Sequence, residues 1–188
     1  MAYKGFNCRG GPCWRPLDIR LRRRVPVEQL HWLVDAASLT QRLRQRCPHG
    51  FRVRLLAQRW QRPLRNERRA LGLPDHEFAL VREVLLACGD TPWVFARTVI
   101  PAGTLRGDLR RFARLGDRPL GELLFSTRGM RRGAIEVAEI RPGQPLYREL
   151  AGGRDAAVIW GRRSVFTLGG RPLLVGEIFL PALTGARG

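Results

Sequence analysis

Two pairs of strand-like segments, each closed by a short turn, constrain this chain most. Residues 78–88 and 93–100 flank Gly89-Asp90-Thr91-Pro92, and residues 160–168 and 173–180 flank Gly169-Gly170. Runs joined so tightly can only lie antiparallel, because a parallel connection needs a crossover of a dozen or more residues. Phe51, Val53 and Leu55 alternate with arginine and predict a further half-buried strand, and 134–140 is another strand candidate. Helical spacing falls in separate runs: 27–34, then 39–46 behind the capping residue Ser38, then 108–115 ended by Gly116, and 120–125 behind Pro119. Strands joined by turns, with helices in runs of their own, predict an α+β fold: a single domain on an antiparallel β-sheet with helices packed on it.

The remaining stretches read as connections. Residues 1–26 are basic and broken by Gly10, Gly11, Pro12, Pro16 and Pro26, so an irregular N-terminal segment is expected there, with the folded domain at 27–188. Residues 61–76 read as an exposed, arginine-rich connection or ribbon, and 141–156 as a loop.

The strand faces carry the chemistry. Residues two apart on a strand share a face. Leu80, Arg82, Val84 and Leu86 form one such set, Trp93, Phe95, Arg97 and Val99 a second, and Leu173, Val175, Glu177 and Phe179 a third. Each is apolar but for one charge. A buried charge costs several kcal/mol unless it is partnered, so Arg82, Arg97 and Glu177 are expected to be paired or to face a ligand. One reading is a structural ion pair of Glu177 with Arg82 or Arg97, and another is that these faces are exposed. A third is a pocket for a small, largely apolar anion, because two arginines outnumber one acid. The helix starts at Ser38-Leu39-Thr40 and Pro119-Leu120-Gly121 offer amide groups that serve either as simple caps or as anion donors.

Charge narrows the function classes without choosing among them. The 188 residues hold 34 basic and 16 acidic groups, a formal +18, and Lys4 is the only lysine. Residues 1–69 carry 17 basic against 4 acidic groups. Such a field suits nucleic acid, an acidic membrane surface or a small anion, yet the arginines are spread through every segment. With 44% hydrophobic residues a packed core is expected, and no apolar run is long enough for a transmembrane helix. The first residues lack the apolar stretch of a secretory signal, so a cytoplasmic location is expected. Cys8 and Cys13 with Cys47 and His49 make an atypical zinc spacing, so no metal is expected, and Cys88 reads as a small core residue. No P-loop, dinucleotide fingerprint or nucleophile elbow occurs, and no cofactor is expected.

Seven ordered stretches resemble the chorismate pyruvate-lyase family: SLTQRLR (38–44), VREVLL (81–86), RTVIP (97–101), PLGELLF (119–125), IEV (135–137), WGRRS (160–164) and RPLLVGEIFLP (171–181). The resemblance implies a single domain whose internal ligand cavity is closed by flap-like helical segments. It also implies an enzyme, a carbon–oxygen lyase that splits chorismate into 4-hydroxybenzoate and pyruvate as the first committed step towards ubiquinone or another 4-hydroxybenzoate-derived product. Carried over residue by residue, it implies a ligand-contacting arginine at Arg82, the carboxylate at Glu177, backbone contacts at Leu39 and Leu120, and a second internal arginine at Arg97. Catalytic roles are thereby expected for Glu177, Arg82 and Arg97, and substrate or product binding for Leu39, Arg82, Leu120 and Glu177. Leu39 stands where the best-known members carry methionine, and the loop at 141–157 is longer than in compact members. The partners implied are chorismate and 4-hydroxybenzoate, with a monomeric protein and no specific nucleic acid.

Two other classes compete. The same fold serves as an effector-binding module in some transcription regulators, without catalysis. A basic nucleic-acid-binding protein would exploit the charge of residues 1–69, although no RNA- or DNA-recognition pattern supports it.

Overall fold

The computed structural model describes residues 12–151 and 158–185. The chain begins with β1 (Arg15–Pro16), α1 (Ile19–Arg22), α2 (Val27–Val34) and α3 (Leu39–Arg46). β2 (Phe51–Gln61) and α4 (Arg65–Leu71) precede the first hairpin, β3 (Ala79–Cys88) and β4 (Thr91–Pro101). Two 3-10 segments, Ala102–Thr104 and Gly107–Arg114, lead into α5 (Leu120–Phe125). β5 (Met130–Arg132), β6 (Glu136–Ile140) and α6 (Pro145–Ala151) follow. The second hairpin is β7 (Ile159–Leu168) and β8 (Arg171–Phe179), and α7 (Pro181–Thr184) comes last. The strands form one antiparallel sheet in the order β1-β6-β7-β8-β4-β3-β2, and β5 pairs with β7. The α+β architecture anticipated from the hairpins is the one observed.

Both faces of the sheet are covered, which explains why its central strands are apolar nearly throughout. On one face, Trp32 and Leu33 of α2 and Leu39 and Leu43 of α3 pack on Val84 and Leu86. Beside them Phe112, Leu115, Leu120 and Leu124 cover Leu80 and Ile100. On the other face Leu71 covers Val81 and Val99, and Tyr147 joins Phe95 and Ile178. The helices of the first face frame the candidate site.

Several local expectations are corrected. Residues 61–76 contain α4, whose start is fixed by Glu67 reaching back to the Leu64 amide (2.8 Å) and whose end is the left-handed Gly72. The stretch 141–156 contains α6. Residues 12–26 are not an irregular appendage: β1 pairs with β6, and Leu21 and Val25 enter the core. Arginines conceal the periodicity of the first and last of these segments, and Pro142, Gly143 and Pro145 that of the 141–156 stretch, while a few apolar residues dock each one.

Cys88 is not a simple core residue either. It is disulfide-bonded to Cys47, the residue that caps α3, so Cys47 is not available as the metal ligand weighed above. Of the other two cysteines of that spacing, Cys8 lies outside the described residues and Cys13 is itself disulfide-bonded. The cross-link closes a loop of 41 residues and ties the helix over the site to the end of β3. Its removal by Cys88→Ala is expected to cost about 2–4 kcal/mol of stability, checked by denaturant unfolding of the variant beside the wild type.

Candidate active site

Beneath α3 and α5 lies a chamber whose charged lining residues are Arg82, Arg132, Arg162 and Glu177. The pairing register builds it. Arg82 stands opposite Thr98, Ala96 opposite Glu177, and Glu177 opposite Arg162, so these side chains project from one face. Leu39 and Leu120, the first residues of α3 and α5, line the same chamber. The two helix starts meet closely there, since a Cβ on Gly121 would come within 2.9 Å of the Thr40 hydroxyl. An ion pair between Arg44 and Glu122 also joins the two helices. Four of the five residues expected in the site, Arg82, Glu177, Leu39 and Leu120, are thus brought together.

Arg82 is 2% exposed and forms no ion pair among the described residues. Its Nη2 donates to the carbonyls of Gly116 and Arg118, both at 2.9 Å, while its Nε is buried with no acceptor. Burial pushes its pKa down, with Asp117 acting in the opposite sense. A carboxylate is the chemical complement of a buried guanidinium that has an unused donor.

Glu177 does pair with an arginine, but with neither of those considered from the sequence. Arg162 Nε donates to Glu177 Oε2 at 2.5 Å, and its Nη1 donates to the carbonyls of Trp32 (2.8 Å) and Asp35 (2.5 Å). Arg162 is itself 2% exposed, so it is a buried strut between sheet and α2 and not the surface charge its doublet with Arg163 suggests. Asp35 is braced in turn. Burial raises its pKa, but the Ala37 amide and the Arg42 guanidinium outweigh burial and hold the carboxyl below its ordinary range.

Arg97 is the correction. It stands opposite Glu83 and Gly176, on the other face of the sheet from Arg82 and Glu177. There its Nε donates to Glu67 Oε1 at 2.7 Å and its Nη1 to Glu83. Burial lowers its pKa, yet the two carboxylates outweigh this and leave it raised. Alternation along β4 grouped Arg97 correctly with Phe95 and Val99, but alternation within one strand cannot say which set of a neighbouring strand shares its face. That depends on pairing register. Arg97→Met should strand two largely buried carboxylates and destabilise the fold by about 3–5 kcal/mol in urea unfolding, with a loss below about 1 kcal/mol marking the cluster as solvent-screened.

Reading the sequence residue by residue missed Arg132 and Arg162. The rule that found Arg82 would have found Arg162, which sits between Trp160, Ser164 and Phe166 on one face of β7. Arg132 lies on a three-residue strand, too short for alternation to show.

The architecture is a two-sided α+β sheet that encloses excess positive charge under two short helices. Solved structures share the architecture at low sequence identity. The ligand-binding domain of a putative GntR-family transcriptional regulator from Bordetella bronchiseptica aligns with a TM-score of 0.51 and 21% identity, covering 68% of this chain and 82% of that one. PhnF from Mycobacterium smegmatis aligns at 0.59 and 14%, covering 79% and 66%. These likenesses concern the fold alone. Sequence is more specific: residues 14–186 match the model of the chorismate lyase family. Probable chorismate pyruvate-lyases from Methylococcus capsulatus (46% identical, covering 81% of this chain and 94% of the relative) and Azoarcus sp. (47%, covering 93% and 94%) align over most of both chains. The chain belongs to the chorismate lyase family and is a lyase.

Proposed function

We propose that the chamber cleaves chorismate into 4-hydroxybenzoate and pyruvate. The observation that carries this reading is Arg82: a buried guanidinium with a donor to spare, at one end of an apolar chamber that has a carboxylate, Glu177, further along. Arg82, with the Leu39 and Leu120 amides, anchors the ring carboxylate. Glu177, held by Arg162, accepts a hydrogen bond from the ring hydroxyl. In the reaction the bond between the ring and the enolpyruvyl oxygen breaks and the neighbouring ring carbon loses its hydrogen. The ring becomes aromatic and the departing enol becomes pyruvate. Aromatisation supplies the driving force, so the protein's part is to position the substrate, exclude water and stabilise charge on the leaving oxygen. No step calls on a cofactor.

The close contact of α3 and α5 supports a role for these helices as flaps over the bound ring. The enzyme would act in the cytoplasm, as a monomer, through one lyase domain that includes residues 27–188. Among the described residues no helix is long and apolar enough to cross a membrane. The product would feed ubiquinone or another 4-hydroxybenzoate-derived compound, and cells lacking the enzyme should then need added 4-hydroxybenzoate to make it. The direct test is incubation with chorismate. Equal amounts of 4-hydroxybenzoate and pyruvate are expected, whereas tight 4-hydroxybenzoate binding without turnover would make the protein a binding module.

A further inference from the structure

We propose that Arg132 is the binding group for a second carboxylate, the one on the part of the substrate that leaves. This rests on the chamber's being the chorismate site and specifies how the substrate, as opposed to the product, is held. Of the three arginines lining the chamber, Arg162 is spent: it is paired with Glu177 and bonded to two carbonyls. Arg82 and Arg132 form no ion pair among the described residues, so the lining carries two uncompensated cations. A monoanionic product accounts for one. A substrate with a carboxylate on the ring and another on the departing side chain accounts for both.

The order of strands gives each cation its end. Arg82 is on β3, Glu177 on β8, Arg162 on β7 and Arg132 on β5, which pairs with β7. Glu177 therefore lies between the two unpaired arginines, which are separated by four strand spacings, roughly 19 Å along the sheet before their side chains reach inward. A ring with its carboxylate at Arg82 and its hydroxyl at Glu177 directs the substituent next to that hydroxyl towards Arg132.

Arg132 is also held ready for this task. Its Nε donates to the Ser164 hydroxyl at 3.0 Å, its Nη1 to the Asp35 carbonyl at 3.2 Å, and its guanidinium lies 5.3 Å from the centre of the Phe166 ring. Three contacts fix its plane without neutralising it. Burial and the neighbouring Arg162 push its pKa down and outweigh the opposing pull of Glu177 and Asp35, so a bound anion gains a preoriented partner.

The test compares ligands with one and two carboxylates on wild type, Arg132→Gln and Arg132→Lys. For Arg132→Gln, kcat/KM for chorismate should fall about 30- to 300-fold, mainly through KM, while Kd for 4-hydroxybenzoate changes less than about threefold. Binding of the unreactive dianion 3-(carboxymethoxy)-4-hydroxybenzoate should weaken in parallel with chorismate, and Arg132→Lys should recover part of both losses. The melting temperature should hold or rise, because an uncompensated cation has been removed. Equal losses for one- and two-carboxylate ligands would reduce Arg132 to a structural role, and unchanged chorismate kinetics would overturn the assignment. Failure of the wild type to turn over chorismate would instead sink the reading on which this one rests.

Discussion

Arg82→Ala should lower kcat/KM for chorismate by roughly 30- to 4,000-fold and weaken 4-hydroxybenzoate binding by a similar factor, the equivalent of about 2–5 kcal/mol for truncating a buried, charged hydrogen-bond partner. The parallel loss follows from what Arg82 touches. Its hydrogen-bond partners within the protein are the carbonyls of Gly116 and Arg118, so a ligand's carboxylate would be the first carboxylate to bond to it directly. Those two bonds also tie the turn before α5 to the sheet, so the variant loses a ligand contact and a tether of the covering segment together. The fold itself should survive, because no buried carboxylate is left without its counter-ion. A variant that keeps both turnover and product affinity would mean that the ring carboxylate is held elsewhere. Arg82→Lys should fall between, since an ammonium keeps the charge but not the planar fork that reaches two carbonyls and a carboxylate at once.

Glu177→Gln addresses the other end of the ring. Its carboxylate is tied to Arg162 at 2.5 Å, an arrangement that makes Glu177 a fixed acceptor. The expected result is a loss of roughly 10- to 150-fold in kcat/KM, the equivalent of about 1.5–3 kcal/mol for a hydrogen bond to a charged group, with turnover still measurable. A loss beyond about 10⁴-fold would instead assign Glu177 the proton transfer itself. The substitution also leaves Arg162 buried without a counter-ion, so stability should drop by up to about 3–5 kcal/mol. Kinetics must therefore be read well below the melting temperature. Pairing Glu177→Gln with Arg162→Met isolates this effect: the double variant should regain much of the stability and little of the activity, because the buried cation goes while the charged acceptor stays absent.

The parts of the site legible in the sequence were those written in local patterns. A lone charge on an apolar strand face marked Arg82 and Glu177, and a capping serine and an N-terminal proline marked the helix starts at Leu39 and Leu120. Arg97 carried the same mark and stands on the opposite face, because the relative phase of two strands is set by their pairing and not by either strand's alternation. The partner of Glu177 was hidden for a related reason. Arg162 and Arg163 are adjacent and look equivalent in sequence, yet one points into the chamber and the other meets Glu136 on the reverse side at 2.7 Å. Long-range links leave no local trace at all. The bond between Cys47 and Cys88 and the packing of α4 and α6 on the reverse face depend on residues far apart in the chain. The hairpins and the sheet could be read from turns and alternation, whereas the cover on each face could not.

The most direct test is a crystal structure of the protein with 4-hydroxybenzoate bound. The ring should lie under α3 and α5 with its carboxylate on Arg82 and its hydroxyl within hydrogen-bonding distance of Glu177, leaving the end of the chamber at Arg132 open. A product molecule seated on the other face beside Arg97 and Glu67, with the chamber empty, would contradict the account.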